Sequence, residues 1–216
     1  MKKITAAIFT LAFILQINFS FSQNNEVIIP PFKDKYCEYV KQLEGGKLDI
    51  DYTDFRNSFL DSKQYSKKGE NYDSLKKEVF KEIKEKNYPA VIRLTKLMLN
   101  IDYTSMFAHK YLQQTYKIIG DTVNKKKYHD IEFGLLYSIT KSGDGKTCDS
   151  GWHVTQIEEE YFILNMIGAD LQKQSLTSGK KNGCDKMEVK TEEGKEKTYY
   201  FEINKVLEME RKMFEK

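Results

Sequence analysis

The fold is decided between Lys86 and Gly120, in the stretch KNYPAVIRLTKLMLNIDYTSMFAHKYLQQTYKIIG. Pro89 sits just past the turn at Lys86-Asn87-Tyr88, where a helix's first turn tolerates a missing N–H. Ala90, Val91, Leu94, Leu97, Met98 and Ile101 then recur at helical spacing on one face. Thr104 or Ser105 caps a second helix, whose Phe107, Ala108, Tyr111, Leu112, Tyr116 and Ile119 turn inward before Gly120 stops it. Two amphipathic helices joined by so short a turn must lie antiparallel.

The same grammar continues in both directions. Upstream, Asp73 or Ser74 caps a run whose Leu75, Val79, Phe80 and Ile83 face one way. Downstream, Thr122 to Ile139 is lined by Tyr128, Ile131, Leu135 and Ile139. Helices are therefore expected at about 74–86, 89–101, 104–119 and 122–140, with Val91, Leu94, Leu112, Tyr116 and Leu135 buried together. Asn87-Tyr88-Pro89-Ala90 and Gly120-Asp121 lie about 33 residues apart, near the tetratricopeptide period. Val91 and Lys125 stand where that repeat takes alanine, so the array is only tetratricopeptide-like.

Two shorter helices precede the array. Tyr36, Tyr39, Val40 and Leu43 line the first, and Tyr52, Phe55, Phe59 and Leu60 the second. Pro30-Pro31 keeps 23–33 extended, and Ser62 to Asn71 reads as a solvated loop. After Gly151 the period changes. Trp152 to Ile157 alternates like a strand, and a helix follows with Tyr161, Leu164 and Ile167 as its apolar stripe. Gln172–Thr177, Lys186–Thr191 and Thr198–Asn204 read as strands, and Leu207–Phe214 as a terminal helix. The expected fold class is α+β: tetratricopeptide-like antiparallel helical hairpins, then a small antiparallel sheet with one covering helix.

Lys2 and Lys3 precede the apolar Ile4–Leu15 run, and Ser20-Phe21-Ser22 supplies small residues before a polar stretch. This is the pattern of an export signal cleaved after Ser22, leaving a periplasmic or secreted chain with no stable membrane insertion. The expected organisation is a signal at 1–22, a helical region at 23–141 and a small α+β region at 142–216 packed with the helices. Removing the signal leaves 216 − 22 = 194 residues, with 35 − 2 = 33 basic against 32 acidic side chains. So even a balance offers no footprint for nucleic acid. Cys37, Cys148 and Cys184 are an odd set. A Cys148–Cys184 bridge is one reading, and free, partly buried thiols are the preferred one.

The candidate chemistry is thin. Gly145-Lys146-Thr147 suggests a phosphate loop, but Thr140 stands where its first glycine is required and the segment follows a helix. Asp144 and Asp149 lack the rhythm of a calcium loop and read as turn formers. Glu158-Glu159-Glu160 reads as negative charge in a helix first turn. His109, His129 and His153 lie too far apart for a histidine metal motif, and no cofactor is implied. His153 with Cys184 or Cys148, and Asp149 or Asp185 as orienter, would make a thiol hydrolase.

Ser142-Gly143-Asp144-Gly145, Trp152-His153-Val154, Glu159-Glu160-Tyr161-Phe162-Ile163-Leu164, Gln174-Ser175-Leu176 and Cys184-Asp185 form a set. Together they resemble the exported bacterial family called domain of unknown function forty-nine nineteen. Asp54-Phe55-Arg56 with Tyr65 and Tyr72 is similar to that family's N-terminal signature. The resemblance covers about 50–205 and implies a tetratricopeptide-like helical part with a small α+β end. It implies no activity and no catalytic residues. The residues it singles out are Asp144, His153, Glu160, Gln174, Cys184 and Asp185, with Gly143, Asp144, Gly145 and Asp185 expected to shape turns. The leading functional expectation is a non-enzymatic module binding a protein or peptide partner, and the alternative is the thiol hydrolase.

Overall fold

Six α-helices fill the first two thirds of the chain in a computed structural model that describes residues 26–69 and 71–215. The expected export signal lies outside the described residues. The helices are α1 (Lys35–Glu44), α2 (Tyr52–Leu60), α3 (Asn71–Lys84), α4 (Tyr88–Ile101), α5 (Met106–Ile119) and α6 (Thr122–Thr140). Short polar side chains start most of them. Asp34 accepts from Cys37 N at 2.9 Å, Asp51 from Asp54 N at 3.0 Å and Asp121 from Asn124 N at 2.9 Å. Of the two caps weighed for α5, Ser105 is the one used, accepting from Ala108 N at 3.2 Å. Gly120 ends α5 at φ +82°, a left-handed turn that glycine adopts without steric cost.

Helices α3 to α6 pack in succession, each against the next. Val91, Leu94, Leu112, Tyr116 and Leu135 are all buried, as the helical phase predicted. Three inward assignments fail: Ile119 is 49 % exposed at the Gly120 turn, Phe80 is 41 % exposed on α3, and Leu97 is 38 % exposed on α4. Ser62 to Asn71 is not a solvated loop either. Ser62 and Gln64 are buried, and Lys68 is drawn into a polar network described below.

The remaining elements are β1 (Trp152–His153), α7 (Ile157–Met166), β2 (Ala169–Ser178), β3 (Gly183–Thr191), β4 (Glu196–Glu202) and α8 (Asn204–Phe214). The sheet order is β1-β4-β3-β2. Strands β2, β3 and β4 are antiparallel neighbours, but β1 runs parallel to β4, pairing Trp152 with Phe201. The sheet is thus mixed, not purely antiparallel. β1 reaches β4 from the helical region, with no hairpin to set its direction. It is also shorter than expected. After Val154 N bonds Glu202 O at 3.0 Å, the chain must turn to start α7. Met187, Val189, Phe201 and Ile203 are buried, on the packed face of the sheet.

Helix α7 covers β2 with a different face from the one expected. Glu159, Glu160, Ile163 and Leu164 are buried, whereas Tyr161 and Ile167 are 45 % and 44 % exposed. Of the two glutamates on the inner face, Glu159 is held there by its pair with Arg56, and Glu160 lies beside Asp185. The Ser142–Gly151 segment forms the expected turn. Gly143 comes so close to the end of the 148–150 turn that a Cβ would stand 2.3 Å from Ser150 O, and Gly145, at φ +67°, lies against the Trp152 ring. Asp185 is not a turn residue; it sits within β3.

Cys148 and Cys184 are joined in a disulfide with Cα atoms 5.6 Å apart, so the free-thiol reading is wrong for this pair. Sequence did not show that the turn at 148–150 packs against the start of β3. Cys37 is free and buried. One hydrophobic cluster runs from Tyr36 and Phe55 through Leu112 and Ile131 to Val154, Met187 and Phe201, crossing both parts of the chain.

Candidate functional site

Helices α3, α5 and α7 enclose a cleft of about 260 Å³ over the turn that joins α4 to α5. Tyr72, Lys76 and Phe80 reach it from α3 at four-residue intervals, which places them on one helical stripe. Phe107, Lys110 and Tyr111 come from α5, and Tyr161, Phe162 and Asn165 from α7. Phe80 meets Phe107 and Tyr111 edge-on, with ring centroids 5.3 and 5.6 Å away. Lys76 Nζ stands 5.1 Å above the Phe107 ring and Lys110 Nζ 5.4 Å above that of Phe162. Lys110 also donates to Asn165 Oδ1 at 2.9 Å.

The floor is polar and closed on itself. Lys68 Nζ donates to Asp102 Oδ2 at 3.0 Å and to the Gln156 side-chain oxygen Oε1, and lies 3.3 Å from Glu158. Asp102 Oδ1 accepts from Thr104 N at 2.8 Å and from its hydroxyl at 2.6 Å, while Gln156 Nε2 donates to that hydroxyl at 3.0 Å. Burial pulls the Lys68 ammonium toward neutrality, but Asp102 and Glu158 outweigh it and hold the pKa well above its ordinary value. The Tyr72 hydroxyl pairs with Ser105, and burial keeps its proton on.

Beneath this floor Arg56 makes a bidentate pair with Glu159, Nε to Oε1 at 2.8 Å and an Nη to Oε2 at 2.6 Å. Arg56 also donates to His153 O at 3.1 Å and Ser138 Oγ at 3.3 Å. Glu159 in turn accepts from Thr155 N at 2.7 Å, which fixes the start of α7. The charges of Arg56 and Lys68 are thereby matched. Lys76 and Lys110 have no carboxylate within ion-pair distance among the described residues.

Of the six residues singled out by sequence, the fold brings Glu160, Gln174 and Asp185 together. Gln174 Nε2 donates to Asp185 Oδ2 at 2.7 Å, and the Tyr161 hydroxyl donates to Gln174 Oε1 at 2.7 Å. Glu160 is fully buried and neither of its oxygens has a hydrogen-bond partner of good geometry. Burial, reinforced by the nearby Asp185 carboxyl, pushes the Glu160 carboxyl up to about 9, so it is a neutral acid at pH 7.

His153 and Cys184 belong to a separate row. Both lie opposite Glu202 in the sheet, and His153 Nδ1 pairs with the Glu202 carboxylate. The thiol-hydrolase alternative loses its nucleophile here, because Cys148 and Cys184 are bonded to each other. Asp144 stands apart in its loop, accepting from Ser150 Oγ at 2.7 Å and Lys146 N at 3.0 Å.

Among the described residues no cluster of three or more His, Cys, Asp or Glu side chains could hold a metal ion, and no helix is long and apolar enough to cross a membrane. Sequence reasoning missed the cleft itself. Tyr72, Lys76 and Phe80 share a helical stripe that was there to be read, but the pocket exists only once α5 and α7 face it. The family model described as Domain of unknown function (DUF4919) matches residues 49–212 of the chain. No curated protein and no solved structure matches it.

Proposed function

The chain belongs to the DUF4919 family, described only as a domain of unknown function, and from that premise we propose an exported, non-enzymatic module that binds a protein or peptide partner. The observation that carries this reading is the α3–α5–α7 cleft, a concave aromatic surface over a rigid and internally satisfied polar floor. Binding sites combine apolar walls with a few fixed polar groups in this way. Phe80, Tyr161 and the two lysines with no ion pair remain open to a partner, while Arg56, Lys68 and His153 are each tied into contacts within the fold. A disulfide supports an oxidising compartment, where such bonds persist.

A photo-crosslinker placed at Phe80 tests the reading. Applied to the native envelope, it is expected to trap one partner that a crosslinker at Phe133, on the outer face of α6, does not. Phe80→Ser should lose that partner while the chain stays folded, with a small fall in melting temperature from the lost ring contacts. Equal trapping from both positions, or capture that survives Phe80→Ser, would remove the cleft from the account.

A further inference from the structure

We infer that the α3–α5–α7 cleft is a binding site for a carboxylate carried on a compact apolar body, with Lys76 and Lys110 taking the carboxylate and the aromatic rings enclosing the body. The inference rests on the cleft being a binding site, but not on the partner being a protein. Its size limits the ligand. A cleft of about 260 Å³ lies just below the range of pockets that hold drug-sized molecules, ~300–1,000 Å³, so it takes one side chain or a small acid.

The charge balance selects the sign. Lys68 is held by Asp102 and Glu158, and Arg56 by Glu159, so neither is free to bind an anion. Lys76 and Lys110 have ring faces against them and, at Lys110, the neutral Asn165 amide and the Met166 thioether sulfur at 3.6 Å, none of them an anion. Glu132 acts on Lys110 only beyond ion-pair distance, from a buried position on α6. An ammonium resting on an aromatic face keeps N–H donors unspent, and a carboxylate can accept them.

The same balance selects the number of charges. Glu158 is half-exposed at the mouth of the cleft and would repel a dianion such as a phosphate monoester. The two lysines come from different helices, and a carboxylate has one oxygen for each. Such a ligand has two natural sources, the last residue of a peptide or a free small carboxylic acid.

Isothermal titration of the purified protein separates them, with three probes: N-acetylphenylalanine, its C-terminal amide, and a pentapeptide ending in phenylalanine with a free carboxylate. The acid forms are expected to bind and the amide to bind at least about tenfold more weakly, the usual difference for a charge-assisted hydrogen bond. Lys76→Met and Lys110→Met keep the apolar stems and should each weaken the acids about tenfold with unchanged melting temperature, whereas Lys76→Arg should retain them. Affinity should also fall as salt rises. Binding of both acids assigns the site to the shared carboxylate, and binding of the pentapeptide alone assigns it to a chain terminus.

Amide binding as tight as the acid, affinities indifferent to both lysine substitutions, or no binding by any probe would overturn the inference. Those outcomes leave the Phe80-dependent capture standing on its own. Loss of the capture with carboxylate binding intact would instead leave a small-acid site without a protein partner.

Discussion

Glu160 is a carboxylic acid that its buried surroundings hold neutral at pH 7. An unfolded glutamate titrates near 4.5, and burial beside Asp185 moves the folded value to about 9. Between those values the folded chain holds a proton that the unfolded chain releases. Stability contributed by the neutral acid is therefore complete below about pH 4.5 and declines as pH rises across the window, by on the order of 1 kcal/mol per pH unit. Glu160→Gln removes the titration while keeping the shape, so its urea midpoint should change less between pH 5 and pH 8 than that of the parent. Parallel pH profiles for the two chains would show that Glu160 is not the group responsible. The family resemblance picked out Glu160, Gln174 and Asp185 in the sequence, but nothing there placed them together. Gln174 and Asp185 meet through the pairing of β2 with β3, and Glu160 joins them only because α7 turns its acidic face inward. An acidic residue in a helix first turn ordinarily faces water, and the cost of burying it depends on partners that sequence spacing does not reveal.

Among the elements, the helices were the legible part, since their signal is local. The period of Val91, Leu94 and Met98 and the caps around it specify α4 and α5 without knowledge of the rest of the chain. Leu112 is fully buried between them and α6, so Leu112→Ala should cost about 2–5 kcal/mol in thermal or urea unfolding, the range for a leucine replaced by a cavity. A change below about 0.5 kcal/mol is the size expected at a surface site and would contradict that burial. The sheet was harder to read because its pairings are not local. The alternation from Trp152 marked β1, but not that only two residues pair or that they run parallel to β4 nearly fifty residues away, and the disulfide depends on a turn packing beside a strand. That bond closes a segment of separation 36 and restrains the unfolded chain, by ~3–4 kcal/mol in the loop-entropy estimate. Cys148→Ser with Cys184→Ser should therefore lower the melting temperature markedly, and a reducing agent should destabilise the parent but not the double variant. A parent indifferent to reductant would mean that the two sulfurs are not joined.

At the scale of the whole molecule, export and cooperativity are the two questions left to measurement. If the chain is exported, protein recovered outside the cytoplasm should begin at Gln23 by intact mass, because Ser20 and Ser22 are the small pair ahead of the polar stretch. A product still carrying Met1 would contradict cleavage. Cooperativity turns on Arg56, which stands on α2 yet bonds Glu159 on α7, 103 residues away, and the backbone of His153 in β1. A buried guanidinium clamped across that joint ties the helical region to the sheet, and a continuous hydrophobic cluster runs beside it. Trp152 is the single tryptophan and stacks on Tyr199 of β4 at 5.4 Å, so its fluorescence reports the sheet, whereas far-ultraviolet circular dichroism is dominated by the helices. In the parent the two signals should melt together, as one cooperative unit requires. Arg56→Met leaves Glu159 buried without its counter-charge, at a cost of about 3–5 kcal/mol. Arg56→Met with Glu159→Gln should recover part of that loss by removing the stranded charge. Were the Trp152 transition to come well before the helical one in the parent, the sheet would be an independent unit and the Arg56 contacts would not couple it to the helices.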